Sequence, residues 1–190
     1  MKKVLMLTLA LTFLSLTAYG ATLLVPSQYT TIQAAINASS DGDTVLVASG
    51  TYTGEGNRNL DFWGRAIVVM SENGPLNTDI ICDNSGRGLY FHSGETSSSE
   101  FQGFTIAGGS SAYGGGINIT NASPYIHHCI IWNNSSANSY GGGVYITNGS
   151  PIIEHCTISG NSSKYGGGVY AAASNMEFNS NIVSNNTASG

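Results

Sequence analysis

Two pairs of adjacent histidine and cysteine residues are the first candidates for chemistry in this sequence. His128 and Cys129 form one pair, and His155 and Cys156 form the other, 27 residues further on. Both residue types are common zinc ligands. Adjacent side chains of a β-strand, however, point to opposite faces, so the four side chains cannot converge if the cysteines face inward. We therefore expect no metal site, and an exposed column of His128 and His155 that is a candidate surface for contacts.

The chain contains three cysteines, an odd number that leaves at least one without a partner. Cys129 and Cys156 occupy equivalent positions of a repeat, whereas Cys82 lies outside it. Stacked repeats would bring the two equivalent Cα atoms into the range that a disulfide accepts. Two buried thiols that pack on each other as small apolar groups are the alternative. The sequence leaves both interpretations open.

Carboxylates that could perform acid–base chemistry are sparse. A glycosidase needs two convergent carboxylates, and a lyase of the calcium-dependent kind needs grouped carboxylates and a tuned base. From residue 113 onward the chain has only Glu154, Glu177 and the basic Lys164. Other charges that are close in sequence are interpreted as solvated turn residues: Asp79, Asp83 and Arg87. We therefore expect no catalytic residue and no cofactor, while enzymatic activity is not excluded.

Aromatic residues recur at fixed places and suggest a contact surface. Tyr113, Tyr140 and Tyr165 each precede three glycines, and Trp132 lies beside an asparagine pair. An exposed column of tyrosines could stack against sugar rings or serve as an adhesive face. Alternatively, each tyrosine packs over the neighbouring corner of the fold. These four aromatic residues join the two histidines as candidate contact residues.

The element that must position all of these residues is a repeat. Tyr113, Tyr140 and Tyr165 are separated by steps of 27 and 25 residues, and so are the asparagines at 134, 161 and 186. Short β-rich runs between glycine, asparagine and serine clusters predict strands. A unit of this length cannot bury its own apolar face, so successive units must stack. We expect parallel strands wound into a coil, with asparagines stacked at a turn in the left-handed conformation and this interior ladder: Ile106, Ile131, Ile158 and Val183.

The N-terminal residues predict export. Residues 1–20 have a positively charged start, a short apolar run and small residues at the end, which together indicate a signal peptide that is cleaved before Ala21. Removing Lys2 and Lys3 leaves four basic residues against eleven acidic ones, a formal net charge of −7. That charge argues against nucleic acid as a partner.

One helix is predicted near the start of the mature chain. In residues 30–36, Thr30 and Gln33 have the spacing of a capping box, and Ile32, Ala35 and Ile36 share one face. We expect this helix to cover the open end of the first coil.

These patterns resemble known families. The segment Tyr29 to Asn37, followed by Asp41 to Val47 and Gly50 to Tyr52, resembles the N-terminal start of secreted right-handed parallel β-helix proteins of the pectate-lyase-like superfamily. The repeat of Ile158 to Asn161 followed by Gly166 to Val169 is similar to that of the polymorphic outer-membrane protein family. The resemblance implies an exported or outer-membrane-associated repeat protein.

The sequence therefore predicts an all-β, right-handed parallel β-helix over residues 21–190 with a short N-terminal capping helix. Our leading hypothesis is a secreted or cell-surface adhesin, stalk or glycan-contact module without catalysis, whose partners are polysaccharides or host and cell-surface glycans. The alternative is a polysaccharide lyase or glycoside hydrolase whose active coils are missing. Because no closing element follows Asn186, we expect either a piece of a longer protein or end-to-end pairing of two copies.

Overall fold

The computed structural model describes residues 20–190, apart from the side chains at positions 137 and 138. The predicted signal peptide, except for its last residue, lies outside this range. The helix α1 spans Ile32–Ala38. The strands β1 to β21 are, in chain order, Thr22–Val25, Thr44–Val47, Gly50–Thr53, Leu60–Asp61, Val68–Ser71, Thr78–Ile81, Leu89–Phe91, Glu100–Gln102, Thr105–Ala107, Ile117–Thr120, Tyr125–His127, Ile130–Trp132, Ser135–Tyr140, Val144–Thr147, Ile152–Glu154, Thr157–Ser159, Ser162–Tyr165, Val169–Ala172, Glu177–Asn179, Ile182–Ser184 and Thr187–Ala188.

The strands form three long sheets and one short sheet, and every pair of neighbouring strands within them is parallel. Sheet A contains β1, β2, β5, β8, β11, β15 and β19, and sheet B contains β3, β6, β9, β12, β16 and β20. Sheet C contains β4, β7, β10, β14 and β18, and sheet D contains β13, β17 and β21. Each turn of the coil thus adds one strand to each long sheet. The predicted winding of an all-β parallel coil is confirmed.

Alternating side chains of each strand point into the coil, and the interior positions are apolar. Ile106, Ile131, Ile158 and Val183 lie over one another in sheet B, as predicted. The ladder begins earlier than expected, because Tyr52 and Ile80 lie beneath Ile106 in the same register. The isoleucines are fully buried, whereas Val183, on the last strand of the sheet, is 49% exposed. Stacking of equal side chains gives the coil its continuous core.

A second ladder of buried amides runs beside the isoleucines. The side-chain oxygen of Asn161 accepts hydrogen bonds from the backbone nitrogen and the side-chain nitrogen of Asn134, at 2.9 and 3.0 Å. Asn186 does the same for Asn161. The expectation that these asparagines adopt the left-handed conformation is wrong: the preceding residues, Asn133, Gly160 and Asn185, do so. That sharp turn at the preceding residue aims the amide inward, where it satisfies backbone groups of the preceding coil, such as the carbonyl of Ile131 for Asn161.

The glycine triplets allow close approach of neighbouring coils. Gly141, the first of its triplet, has a φ of +66°, which favours glycine. A Cβ atom on Gly143, the third, would lie 2.6 Å from the carbonyl oxygen of Gly168. The corner between sheets D and C therefore leaves no room for a larger residue at this position.

One coil is two residues longer than the next, and the difference is confined to one place. Strand β13 has six residues and its partner β17 has four. The two strands pair in register at Ser136 with Ser163 and again at Tyr140 with Tyr165, with a shift between. The steps of 27 and 25 residues in the sequence are explained by this bulge.

The helix α1 covers the first coil with its apolar face, as predicted. Ile32, Ala35 and Ile36 are fully buried in the same core as the strands. The capping box expected at Thr30 is wrong, because the helix begins one residue later and the hydroxyl of Thr31 accepts a hydrogen bond from the nitrogen of Ala34 at 3.2 Å. The side chain of Gln33 instead joins the helix to the backbone of Asp61, with two hydrogen bonds of 2.9 Å.

Candidate functional site: an aromatic face and a histidine cluster

Five tyrosines form one surface patch, called here the tyrosine corner. The rings of Tyr113 and Tyr140 stack with centroids 6.1 Å apart, and those of Tyr140 and Tyr165 stack at 5.1 Å. Tyr145 and Tyr170 form a second, nearly parallel stack at 5.7 Å. The two stacks touch through the tilted pairs Tyr113 with Tyr145 and Tyr140 with Tyr170, at 5.1 and 4.6 Å. The corner is therefore one continuous aromatic surface.

The parallel winding places these rings because equal positions repeat along the axis. Tyr145 and Tyr170 are register partners on the outer side of sheet C, and Tyr140 and Tyr165 are partners at the end of sheet D. The sequence left open whether Tyr113, Tyr140 and Tyr165 are exposed or packed. The three tyrosines are packed against one another through their rings, and Tyr113 and Tyr165 are nevertheless 44% and 39% exposed.

The outer column of sheet C extends this surface toward the N-terminal end. Below Tyr145 and Tyr170 the same register contains Asn118, then Tyr90, then Asp61. We call the tyrosine corner together with this column the aromatic face.

Side chains around Tyr90 connect the column with its surroundings. The Tyr90 ring stacks on His92 at 4.0 Å, and the guanidinium of Arg87 lies over the Tyr90 ring, 4.6 Å from its centroid. Arg87 also donates a hydrogen bond of 2.6 Å to the hydroxyl of Ser111. At the far end of the aromatic face, the ammonium of Lys164 lies 5.1 Å from the Tyr165 centroid. Cations thus accompany the aromatic rings at both ends.

The candidate Trp132 lies elsewhere. It is on β12, at the outer side of sheet B, and is 46% exposed. It is therefore not part of the tyrosine corner, and the six residues predicted for surface contacts are divided among different sides of the coil.

His128 and His155 face solvent while Cys129 and Cys156 face the core, as expected. The reason is not strand alternation, because these residues lie at the corner between sheets A and B, where both histidines have a positive φ of +52° and +53°. The two imidazole rings stack with centroids 5.0 Å apart and planes within 10° of parallel. The nitrogen lone pairs with which an imidazole binds a metal lie in the plane of the ring, so two stacked rings cannot direct them at one ion. Within the described residues, no group of three histidine, cysteine or acidic side chains could hold a metal ion.

A hydrogen-bonded chain of three side chains begins at an acid that the sequence analysis did not single out. Nε2 of His127 lies 3.0 Å from Oε1 of Glu100, and Nδ1 of His127 lies 2.7 Å from Nδ1 of His128. A carboxylate can only accept, so Nε2 of His127 carries a proton. A neutral His127 then accepts at Nδ1 from His128, which leaves the Nε2 lone pair of His128 at the surface.

Tyr125 and Glu154 complete the group, which we call the histidine cluster: Glu100, Tyr125, His127, His128, Glu154 and His155. The hydroxyl of Tyr125 donates to Oε1 of Glu154, and this hydrogen bond raises the pKa of Tyr125 to about 12. The Tyr125 ring also stacks on His127 at 4.2 Å. Nδ1 of His155 lies 4.0 Å from Oε1 of Glu154. Two carboxylates, three imidazoles and a phenol thus meet on the outer side of sheet A.

A sequence signal for this cluster existed. Glu100 precedes Tyr125 by 25 residues and Gln102 precedes His127 by 25, which is the step of the repeat. Counting back by one coil would have placed Glu100 beside the histidines. Glu100 was missed because the acids weighed from the sequence were those from residue 113 onward together with Asp79 and Asp83, and none of these was counted back by one coil.

The three cysteines are free thiols. Burial raises the pKa of Cys82 to about 12 and that of Cys129 well above its usual range, so both stay protonated. Cys129 and Cys156 donate to the carbonyls of His127 and Glu154 at 3.2 and 3.3 Å. The structure therefore contains two buried thiols on adjacent coils, and not a disulfide between Cys129 and Cys156.

A family model described as a right-handed β-helix region matches residues 44–190. The chain belongs to the right-handed β-helix family. No curated protein and no solved structure matches it. The likeness of this β-helix to the pectate-lyase-like superfamily and to the polymorphic outer-membrane proteins stays a prediction. Among residues 20–190, no helix has the length and apolar character that crossing a membrane requires.

Proposed function

We propose that this β-helix is a secreted or cell-surface protein that binds polysaccharide or glycan chains along its aromatic face, without catalysis. The observation that supports this proposal is the tyrosine corner, where five rings form one continuous surface. Tyr113 and Tyr165 are exposed and the other three are half-buried. Monomeric proteins rarely leave contiguous aromatic surface open to water unless it binds something.

The geometry of the corner suits an extended chain. Tyrosine rings recur on three successive coils, at Tyr113, Tyr140 and Tyr165, so a polymer that lies parallel to the axis meets the same surface three times. Tyrosine offers an apolar ring for the carbon faces of a sugar and a hydroxyl for hydrogen bonds. Several weak contacts of this kind act together when they are linked in one chain.

Affinity electrophoresis of the mature chain in gels that contain polygalacturonate, xylan or soluble cellulose derivatives tests the proposal. We expect at least one polymer to retard the protein and Tyr140→Ala to abolish the retardation. Leu76→Ala is the matched control, because Leu76 is an exposed apolar residue outside the aromatic face. Absence of retardation by every polymer, or equal losses in both variants, would contradict a glycan-binding face.

A second candidate function is acid–base chemistry on a polysaccharide, and the histidine cluster favours it. The chain from Glu100 through His127 to His128 is an arrangement that can hold and pass a proton. Incubation with acidic polysaccharides, with and without calcium, would reveal cleavage as new chain ends. Turnover that disappears in Glu100→Gln or with a chelator would overturn the non-catalytic proposal.

Export and end-to-end pairing stay proposals. Expression of the full gene with detection of a chain that begins at Ala21 outside the cytoplasm would support export. Ile182 and Val183, on the last strand of sheet B, are 62% and 49% exposed. Light scattering that gives a monomer at all concentrations would contradict pairing through these residues.

A further inference from the structure

The aromatic face ends at a cleft of about 350 Å³ near the helix α1. Gln33 of the helix, the loop that contains Glu55 and Arg58, and the residues Asp61 and Trp63 line it. Asp61 belongs to the same outer column as Tyr90 and Tyr145. The cleft therefore adjoins the N-terminal end of the face to which the proposed function assigns glycan binding, although Asp61 and Asn118 of the connecting column are themselves buried.

Trp63 is the residue that marks this cleft as a binding site. Its side chain is 57% exposed, which is unusual for so large an aromatic group in a monomer. Its φ is +54°, a value that non-glycine residues at other corners of the coil share, His128 and Asn133 among them. The exposure of the indole at the cleft, and not backbone strain, is therefore what marks it, because the ring offers an apolar face to a ligand.

The support beneath Trp63 is rigid. Its backbone nitrogen donates a hydrogen bond of 2.8 Å to Oδ1 of Asp61, and Oδ2 of Asp61 lies 2.8 Å from Nε2 of His92. Asp61 is only 6% exposed, so this bond is shielded from water. The edge of His92 also faces the indole ring, with centroids 6.2 Å apart.

The polar side chains of the cleft divide into structural and available groups. The side-chain amide of Gln33 is occupied, because its nitrogen donates to the carbonyl of Asp61 and its oxygen accepts from the backbone nitrogen of Asp61. Glu55 is exposed and Arg58 half-buried, and within residues 20–190 neither forms a side-chain hydrogen bond or ion pair. The carboxylate accepts hydrogen bonds and the guanidinium donates them, so the two groups together can bind adjacent hydroxyls of a sugar.

We propose that this cleft binds one sugar unit, either the end of a glycan chain or a free monosaccharide, stacked on Trp63 with its hydroxyls on Glu55 and Arg58. The volume lies at the small end of the range of about 300–1,000 Å³ for ligand pockets, which suits a single ring. This inference rests on the proposed glycan binding and adds a site where a chain terminates.

Fluorescence of Trp63 tests the site directly. The chain has two tryptophans, so Trp132→Phe, on sheet B, leaves Trp63 as the only reporter. Glucose, galactose, mannose, N-acetylglucosamine and galacturonate are titrated in turn. We expect at least one to change the emission with saturation, and Glu55→Gln or Arg58→Gln to weaken that binding by about tenfold, because a charged hydrogen bond is lost.

The result is separable from that of the proposed function. Tyr140→Ala should abolish retention by polymers but keep the saturable response of Trp63 to the small sugar, and Glu55→Gln should weaken that response but keep retention by polymers. If no sugar changes the emission while polymers are still retained, the cleft inference fails and the aromatic face stands. If a sugar saturates Trp63 but no polymer is retained, the cleft stands and the face fails. Circular dichroism of each variant confirms that it is folded.

Discussion

The tyrosine corner and the histidine cluster are built on the same coil by opposite means. In the tyrosine corner, equal residues repeat, so Tyr140 lies over Tyr113 and under Tyr165. In the histidine cluster the register partners differ: Glu100 faces Tyr125, and His127 faces Glu154. The first arrangement follows from translating one unit along an axis. The second requires a different residue at each level.

This difference distinguishes residues that stabilise the coil from residues whose arrangement the coil does not require. A repeated residue is explained by stacking alone, since equal side chains on adjacent strands stabilise the coil. A set of unequal polar residues that nevertheless bond to each other gains nothing from the repeat. Measurements on the two regions therefore test whether stability and function are carried by different residues.

The largest effect is expected for the buried repeat itself. Asn161→Ala removes the acceptor of two hydrogen bonds from Asn134 and a donor to the carbonyl of Ile131. Leaving these buried groups unpaired should lower the free energy of unfolding in urea by about 3 kcal/mol or more. Asn133→Gly is the control, because Asn133 is exposed and has a φ of +52°, which glycine accepts. Equal losses in both variants would contradict the amide ladder.

The tyrosine corner should show a smaller effect on stability together with loss of binding. Tyr140→Ala removes ring contacts with Tyr113, Tyr165 and Tyr170. Aromatic pairs contribute about 0.5–1.5 kcal/mol each, so we expect a loss of about 2 kcal/mol in urea denaturation. A variant that retains full stability would show that the rings do not support one another, and the corner would then be an exposed surface only.

In the histidine cluster, Glu100→Gln should leave stability nearly unchanged, with a loss below about 1 kcal/mol. Nitrogen NMR of the imidazoles is the sharper measurement. The wild-type protein should have His127 protonated at Nε2 and His128 protonated at Nδ1. The carboxylate of Glu100 can only accept a hydrogen bond, and this sets the direction of both hydrogen bonds in the series. The amide of glutamine can donate as well as accept, so it should weaken that preference. Identical spectra in the variant would contradict the hydrogen-bonded series from Glu100 through His127 to His128.

The smallest effect is confined to alkaline pH. The hydrogen bond to Glu154 raises the pKa of Tyr125 from 10.0 to about 12, so the folded protein holds a proton that the unfolded chain loses. Stability from this bond is present below pH 10 and is lost as the pH rises through about 12. Burial also raises the pKa of Tyr52, so ultraviolet titration of the phenols should show Tyr52 and Tyr125 as late tyrosines. Glu154→Gln should return only Tyr125 toward its usual value.

The repeat made most of the fold predictable from sequence, because equal positions of successive coils had to coincide. The ladders of Ile131 and of Asn161 followed from spacing alone. The left-handed residue at each asparagine turn was misplaced by one position, since spacing cannot tell which of two adjacent residues, such as Asn133 and Asn134, turns inward. Steric detail within the turn decides that.

The candidate sites were only partly predictable. Tyr113, Tyr140 and Tyr165 were found because they repeat. Trp63 was not, because it lies where the coil is irregular and no equivalent residue one coil away repeats it. The stacking of His155 on His128 follows from the step of 27 residues, whereas the bond between His127 and Glu100 depends on rotamers that no periodicity reports.

The bulge between Ser136 and Tyr140 has a consequence for how such a chain can change. It absorbs two extra residues, and the ladders on either side keep their alignment. Insertions at this place leave the core untouched while they alter the rim of the tyrosine corner. A library of loops grafted there would vary what the surface recognises without selecting against folding, which makes this the natural position for diversification of the molecule.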